Sequence, residues 1–174
     1  MEKQIILLNG PSGSGKSTLA KALQALIEER RKERYEIVSI DDFLKMTPDE
    51  PIYEDDVFEI SANLCEKMLD GLKTAPGAII DHVITGERIF RQLETMLSPY
   101  RLYPVHVTCP PAILKERERQ RKNRCPGSAE ASYEYLYPKE GYALTVDTHR
   151  LTAEECSQQI LEALQSENPE SEKA

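Results

Sequence analysis

The chain has no paired cysteines. Cys65, Cys109, Cys125 and Cys156 lie far apart, none belongs to a CxxC unit, and only three histidines are present. That spacing offers neither a zinc cluster nor a disulfide framework. Reduced thiols of a cytoplasmic protein are the expectation. Long apolar runs are missing too: nothing approaches the roughly 20 residues of a membrane span. The N-terminal stretch MEKQIILLNG carries no cleavage-site pattern. A soluble protein with no membrane partner follows.

Positive charge is also scarce overall. The 174 residues carry a formal net charge of -8, which argues against a nucleic-acid binder that relies on overall basicity. One segment departs from this. Residues 115–124 (KERERQRKNR) hold six cations and two glutamates, a local +4 that leaves -12 on the rest. There is no internal repeat and no dividing linker, so one domain over 1–165 is expected. The last residues, 166–174, are acidic and polar and are expected to be a disordered tail.

Ile5 to Leu8 is a short apolar run ending at Asn9-Gly10, the pattern of a strand buried on both faces. Leu19, Leu23, Leu26 and Ile27 then recur at helical spacing. Further strands are read at Tyr35–Ile40, Ala78–Asp81, Leu102–Val107 and Leu144–Val146. Helices are read at about 57–72, 86–97 and 152–164. Pro110-Pro111 opens the basic helix and Cys125-Pro126-Gly127 closes it. Thr47 to Asp56, with two prolines and five acids, reads as a loop. Strands alternate with helices, which predicts an α/β fold: a parallel sheet of about five strands with helices on both faces.

Gly10-Pro11-Ser12-Gly13-Ser14-Gly15-Lys16-Ser17 matches GxxxxGK[ST] at every fixed position, with Thr18 behind it. Glycines let successive backbone N–H groups converge on phosphate oxygens, and the helix that follows adds its positive dipole end. Lys16 reaches the β- and γ-phosphates, and the Ser17 hydroxyl is a magnesium ligand. A chance Gly/Ser turn is disfavoured by context, because a buried strand precedes the loop and a helix follows it.

Asp41 and Asp81 fall at strand ends on the same sheet edge as this loop, where parallel α/β sheets bind ligands. A carboxylate there either serves magnesium or takes a proton from an attacking hydroxyl. Asp41 is read as catalytic or substrate-binding, and Asp81 as a magnesium group or a buried structural carboxylate. Asp42 is either the base itself or a helix cap. Arg117, Arg121 and Arg124 are spaced to share one helical face. Two readings remain: an arginine lid over about 112–128 that stabilises the transferring phosphoryl group, hinged at Pro126-Gly127, or a solvated face laced with Glu–Arg pairs.

With these residues in place, the chain resembles the chloramphenicol phosphotransferase-like P-loop kinases over most of residues 4–160. IILLNGPSGSGKST resembles that family's first strand and P-loop, and VSIDDF places Asp41 where the family has its presumed base. GAIIDHVI resembles the third strand with its carboxylate, Asp81. Cys109 to Ala129 can be laid along the family's lid without a gap. Gly141-Tyr142 through Val146-Asp147-Thr148 resembles the segment close to the nucleotide base. Two departures are Tyr137 and Ala143, where the family has a histidine and an aspartate. The loop KMTPDEPIYEDD is this chain's own, in a region that helps form the family's acceptor pocket. The resemblance implies a nucleotide-kinase type of P-loop NTPase fold, ATP and Mg2+ as donor, and a hydroxyl on a small molecule as acceptor.

The rival readings are a nucleoside or nucleotide kinase, a regulatory NTPase switch and a nucleic-acid-binding module. Against the switch, there is no NKxD motif, no DxxG after a strand, and His82 rather than a glutamate follows Asp81. The nucleic-acid module rests on residues 115–124 alone and predicts salt-sensitive binding. The acidic stretch 49–56 either attracts a cationic acceptor or is a solvated loop.

Overall fold

A computed structural model describes residues 2–45 and 47–167. The elements run β1 (Gln4–Asn9), α1 (Lys16–Arg31), β2 (Glu36–Ser39), a short 3-10 turn (Ile40–Asp42), α2 (Glu54–Gly71) and β3 (Gly77–His82). They continue with α3 (Glu87–Met96), β4 (Arg101–Thr108), α4 (Pro111–Gln120), α5 (Ser128–Tyr135), β5 (Leu144–Asp147) and α6 (Ala153–Glu167). The five strands pair in the order β2-β3-β1-β4-β5, and every pairing is parallel.

β1 is the middle strand and every one of its residues is buried. Side chains alternate across a strand, and β1 divides accordingly. Ile6 and Leu8 join Leu19, Leu23 and Ile27 of α1 and Ile160 and Leu164 of α6 on one face. Ile5 and Leu7 join Leu64 and Met68 of α2 and Ile89 and Leu93 of α3 on the other. An all-apolar run is what a strand covered on both sides demands. The expected α/β architecture is therefore the observed one, and the strand ends Asn9, Ser39, His82 and Thr108 share one edge of the sheet.

Three boundaries differ from expectation. α2 begins at Glu54, so Glu54, Asp55 and Asp56 form its first turn instead of a loop. Carboxylates there face the positive end of the helix dipole, which favours them. The basic helix stops at Gln120, because Arg121 is extended (φ -98°, ψ 117°). Arg121 and Arg124 consequently lie beyond the helix, and the single arginine face drawn from sequence spacing is not present. Finally, α5 was not expected at all. α6 carries the described chain to Glu167, and the acidic tail from 168 onward lies outside the described residues.

Candidate active site

The loop between β1 and α1 takes its shape from glycine. Gly13 and Gly15 adopt φ of +84° and +88°, a region L side chains rarely enter. At Gly10 the constraint is space, since a Cβ would lie 2.2 Å from the carbonyl oxygen of Val107. Gly15 caps α1 without any side-chain hydrogen bond. A helix N-terminus left uncapped in this way keeps its N–H groups available, and such an end attracts anions.

Lys16 is the first residue of that helix and is only 6% exposed. Its Nζ donates to the Pro11 carbonyl at 2.9 Å and to Ser14 Oγ at 3.3 Å, so it curls over the loop. Burial pushes its pKa down to about 8, against the opposing pull of Asp81 and Asp41 and with help from Arg124 and Arg121. A cation held in this state gains its partner when a polyanion arrives.

Ser17 Oγ donates to Asp81 Oδ2 at 2.7 Å, and Ser39 Oγ donates to the same oxygen at 3.1 Å. Ser39 also accepts from the Asp41 N–H, so one serine at the end of β2 holds both aspartates in register. Sequence reasoning passed over Ser39, although it stands at the strand end two residues before Asp41. Among the described residues no cluster of three or more His, Cys, Asp or Glu could enclose a metal. The oxygen pair of Ser17 and Asp81 is nonetheless the donor set that suits magnesium, which keeps waters and substrate phosphates in most of its positions. His82, next along β3, is fully buried, bonds Ser61 at 2.8 Å, and is driven by burial to a pKa of about 4. It is a neutral core group.

These groups open into a cavity of about 570 Å³. Lys16, Ser17, Asp41, Asp81, Arg121 and Arg124 line one end; Ile40, Leu44, Pro51, Ile52, Val57, Val83 and Tyr135 give it apolar walls, with Glu54 and Thr85 among them. Asp42 is not among the lining residues. Arg124 Nη2 stands 3.4 Å from Asp41 Oδ2. Burial, then the neighbouring Arg124, lower the pKa of Arg121. Like charges are thus held close together at the mouth of the loop, an arrangement that an incoming anion relieves.

The remaining predicted residues lie elsewhere. Arg117 is on the outer side of the loop, donating from Nη1 to the Gly13 carbonyl at 3.0 Å. Thr148 is beside it, donating to the Ser14 carbonyl at 2.6 Å. Neither lines the cavity. α5 supplies a wall that had no sequence signal. Its Ser132 hydroxyl accepts from the Ser12 N–H at 2.9 Å, and Ser128, Ala131 and Tyr135 line the cavity. Asn9 is a buried hub behind the loop: it donates to the Tyr137 carbonyl and to the Tyr142 hydroxyl, and accepts from the Ile84 N–H, each at 2.9 Å. At the two positions that depart from the family pattern the bonds are main-chain ones, the Tyr137 carbonyl to Asn9 and the Ala143 N–H to the Pro104 carbonyl, so they do not explain the change of side chain.

The family model for chloramphenicol phosphotransferase-like proteins matches residues 3–165. The chain belongs to that family. No curated protein matches it by sequence. Solved structures agree on the fold. The APS kinase CysC of Mycobacterium tuberculosis superposes with a TM-score of 0.72 at 14% identity, covering 94% of this chain and 98% of that one. A gluconokinase from Sinorhizobium meliloti 1021 gives 0.64 at 19% identity, with 96% and 98% covered. The tunicamycin resistance protein of Deinococcus radiodurans gives 0.66 at 18%, with 93% and 95% covered. Family and fold together make this a kinase-type P-loop protein. Among the described residues no helix is long and apolar enough to cross a membrane.

Proposed function

We propose that this member of the chloramphenicol phosphotransferase-like family moves the γ-phosphoryl group of ATP to a hydroxyl of a small molecule. The observation that carries the reading is the continuous cavity, which joins Lys16 and Ser17 of the loop to Asp41 and an apolar chamber. ATP occupies the loop with its triphosphate on the free amides and Lys16. Ser17 and Asp81 would hold magnesium, which when bound would neutralise charge on the phosphates. Asp41 orients the acceptor hydroxyl and takes its proton. As the acceptor oxygen bonds to the γ-phosphorus, the bond to the β–γ bridging oxygen breaks and ADP leaves. Arg121 and Arg124, on the segment between α4 and α5, act as a lid over the transferring group.

The chamber bears on the acceptor. The cations of the cavity wall are Lys16, Arg121 and Arg124, and all three belong to the phosphoryl end, where they feel Asp41 or Asp81. Among the described residues, the one charged group lining the cavity away from that end is Glu54. An acceptor with an apolar body and no anionic group of its own fits this partition.

The test is incubation with magnesium and γ-labelled ATP against a panel of hydroxyl compounds, including chloramphenicol, nucleosides and sugars. One compound should gain a single phosphoryl group, and Lys16→Ala should abolish the transfer. Transfer at the wild-type rate by Lys16→Ala would overturn the mechanism, and labelling confined to anionic acceptors, with nucleotides added to the panel, would overturn the acceptor class.

A further inference from the structure

The loop's inward face was described above; its outward face is held just as firmly. Thr148, immediately after β5, donates from Oγ1 to the Ser14 carbonyl at 2.6 Å. Its own N–H donates to the Thr108 carbonyl at the end of β4 at 3.1 Å, which ties it to the sheet. Arg117, from α4, donates through Nη1 to the Gly13 carbonyl at 3.0 Å. The same nitrogen lies 3.4 Å from Thr148 Oγ1, and Nη2 lies 3.5 Å from the Thr148 carbonyl oxygen. Two successive loop carbonyls are therefore satisfied from behind by one arginine–threonine pair.

In a trans peptide the C=O of one residue and the N–H of the next point in opposite directions. The Ser14–Gly15 peptide is trans, since Tyr137-Pro138 is the cis bond among the described residues. Fixing the Ser14 carbonyl outward on Thr148 thus fixes the Gly15 N–H inward, and Gly15 lines the cavity. Fixing the Gly13 carbonyl on Arg117 likewise supports the adjoining peptide, whose Ser14 N–H closes the turn onto the Pro11 carbonyl at 3.1 Å. A Cβ built on Gly15 would sit 3.8 Å from Thr148 and 3.9 Å from Arg117 Nη1, so the pair also packs against the residue that caps α1.

We infer that Arg117 and Thr148 are positioning residues, a brace that orients the amides of the anion cradle from outside it. They do not touch the transferring phosphoryl group, and Thr148 acts on the phosphate chain through the Ser14–Gly15 peptide instead of through the nucleotide base. This rests on the loop's being a triphosphate site, and the experiment separates the two claims.

The variants are Thr148→Val, Thr148→Ser and Arg117→Lys. Amide hydrogen exchange of residues 10–18 is measured first, with no ligand added. Binding of ATP and of inorganic tripolyphosphate is then measured by calorimetry in magnesium buffer. Thr148→Val should speed exchange in the loop and weaken ATP and tripolyphosphate by the same factor. The loss of one half-buried hydrogen bond makes that factor about 2- to 12-fold. Thr148→Ser, which keeps the hydroxyl, should stay within about two-fold of wild type on the same ground. Arg117→Lys should fall between them, because an ammonium lacks the fork that spans two acceptors. If ATP weakens while tripolyphosphate does not, Thr148 contacts the base and the inference is wrong. Unchanged exchange in Thr148→Val also overturns it. Should the wild type bind neither probe, the triphosphate reading falls, and exchange alone still decides the brace.

Discussion

The β1–loop–α1 unit and the α4–α5 arm meet at the phosphate loop, where Arg117 donates to the Gly13 carbonyl and Ser132 accepts from the Ser12 N–H, yet they are built by opposite means. The first is anchored by burial. Every residue of β1 is buried, and Leu19, Leu23 and Ile27 of α1 are fully so. The second rests on a buried cluster of just Cys109, Leu114 and Ala129, with Ile113 against it. What holds the arm together is polar. The Glu118 carboxylate of α4 accepts from the N–H groups of Gly127 and Ala129 and from the Ser128 hydroxyl, capping α5 from a different helix. Burial is cooperative and rigid, whereas a few polar contacts open at low cost. The phosphate loop is accordingly fixed before ligand binds, with Arg117 of α4 and Ser132 of α5 tied to it, and the segment between the two helices, residues 121–127, is the part able to move over it.

If the two regions divide the work in this way, Asp41 should separate binding from transfer more completely than any other residue. Asp41→Asn keeps the shape of the side chain and its place beside Arg124, but it cannot take the acceptor's proton. Transfer should fall by about 10²- to 10⁴-fold, the usual worth of a positioned general base. ATP affinity should fall far less, because Lys16 and the loop amides stay in place and Asp41 reaches them only through its charge on Lys16 and its tie to Ser39. Single-turnover rates and calorimetry on the same preparation check this. Equal losses in both would show that Asp41 serves ATP binding, through Lys16 or Arg124, and not the acceptor's proton.

The same division explains what was legible in the sequence. The loop and its strand could be read because their determinants are consecutive: an apolar run, three glycines, then apolar residues at helical spacing. Asp81 and Asp41 could be placed because strand ends fix their edge. α5 could not be read, since Ser128–Tyr135 (SAEASYEY) has no apolar stripe and its cap is Glu118, ten residues before Ser128. Nor could the end of α4. Pro126 disfavours helix at Cys125 and, through its ring and missing N–H, against the Lys122 carbonyl one turn back, so the punctuation in the sequence stands beyond the true break at Arg121. The arginine face followed from that late boundary. Arg121 and Arg124 still reach the cavity, though from an extended segment, and Arg117 is turned to the loop's outer side.

A second prediction concerns the rigid region alone. Burial holds the folded pKa of Lys16 at about 8, while an unfolded lysine stays near its ordinary value of 10.5. Between these values the unfolded chain binds more protons than the folded one, so stability rises with pH in that window. From pH 8 to 9.5 the wild type should gain about 1–2 kcal/mol relative to Lys16→Met, in which the titrating group is absent. Urea titrations of both proteins at matched pH give the difference. A constant gap across the window would mean that the buried ammonium carries no such cost, and that the loop is less closed than its geometry states.

The smallest effect should come from the arm, and its pH dependence should run the other way. Burial alone would raise the pKa of Glu118, but the hydrogen bonds from Ala129, Ser128 and Gly127 outweigh it and hold the carboxyl below its usual 4.5. A carboxylate depressed in this way stabilises the fold above its unfolded pKa and loses that stabilisation as pH falls through the folded one. Glu118→Gln retains the shape and removes the charge that α5's N-terminus favours. The cost should be about 0.5–1.5 kcal/mol near neutral pH, typical of a helix cap, and it should shrink below pH 4. Exchange should quicken in 121–135 and leave residues 4–27 unchanged. Faster exchange in the loop as well would place Ser132 and its bond to Ser12 in the path, and would make α5 the link through which the arm reports to the donor site.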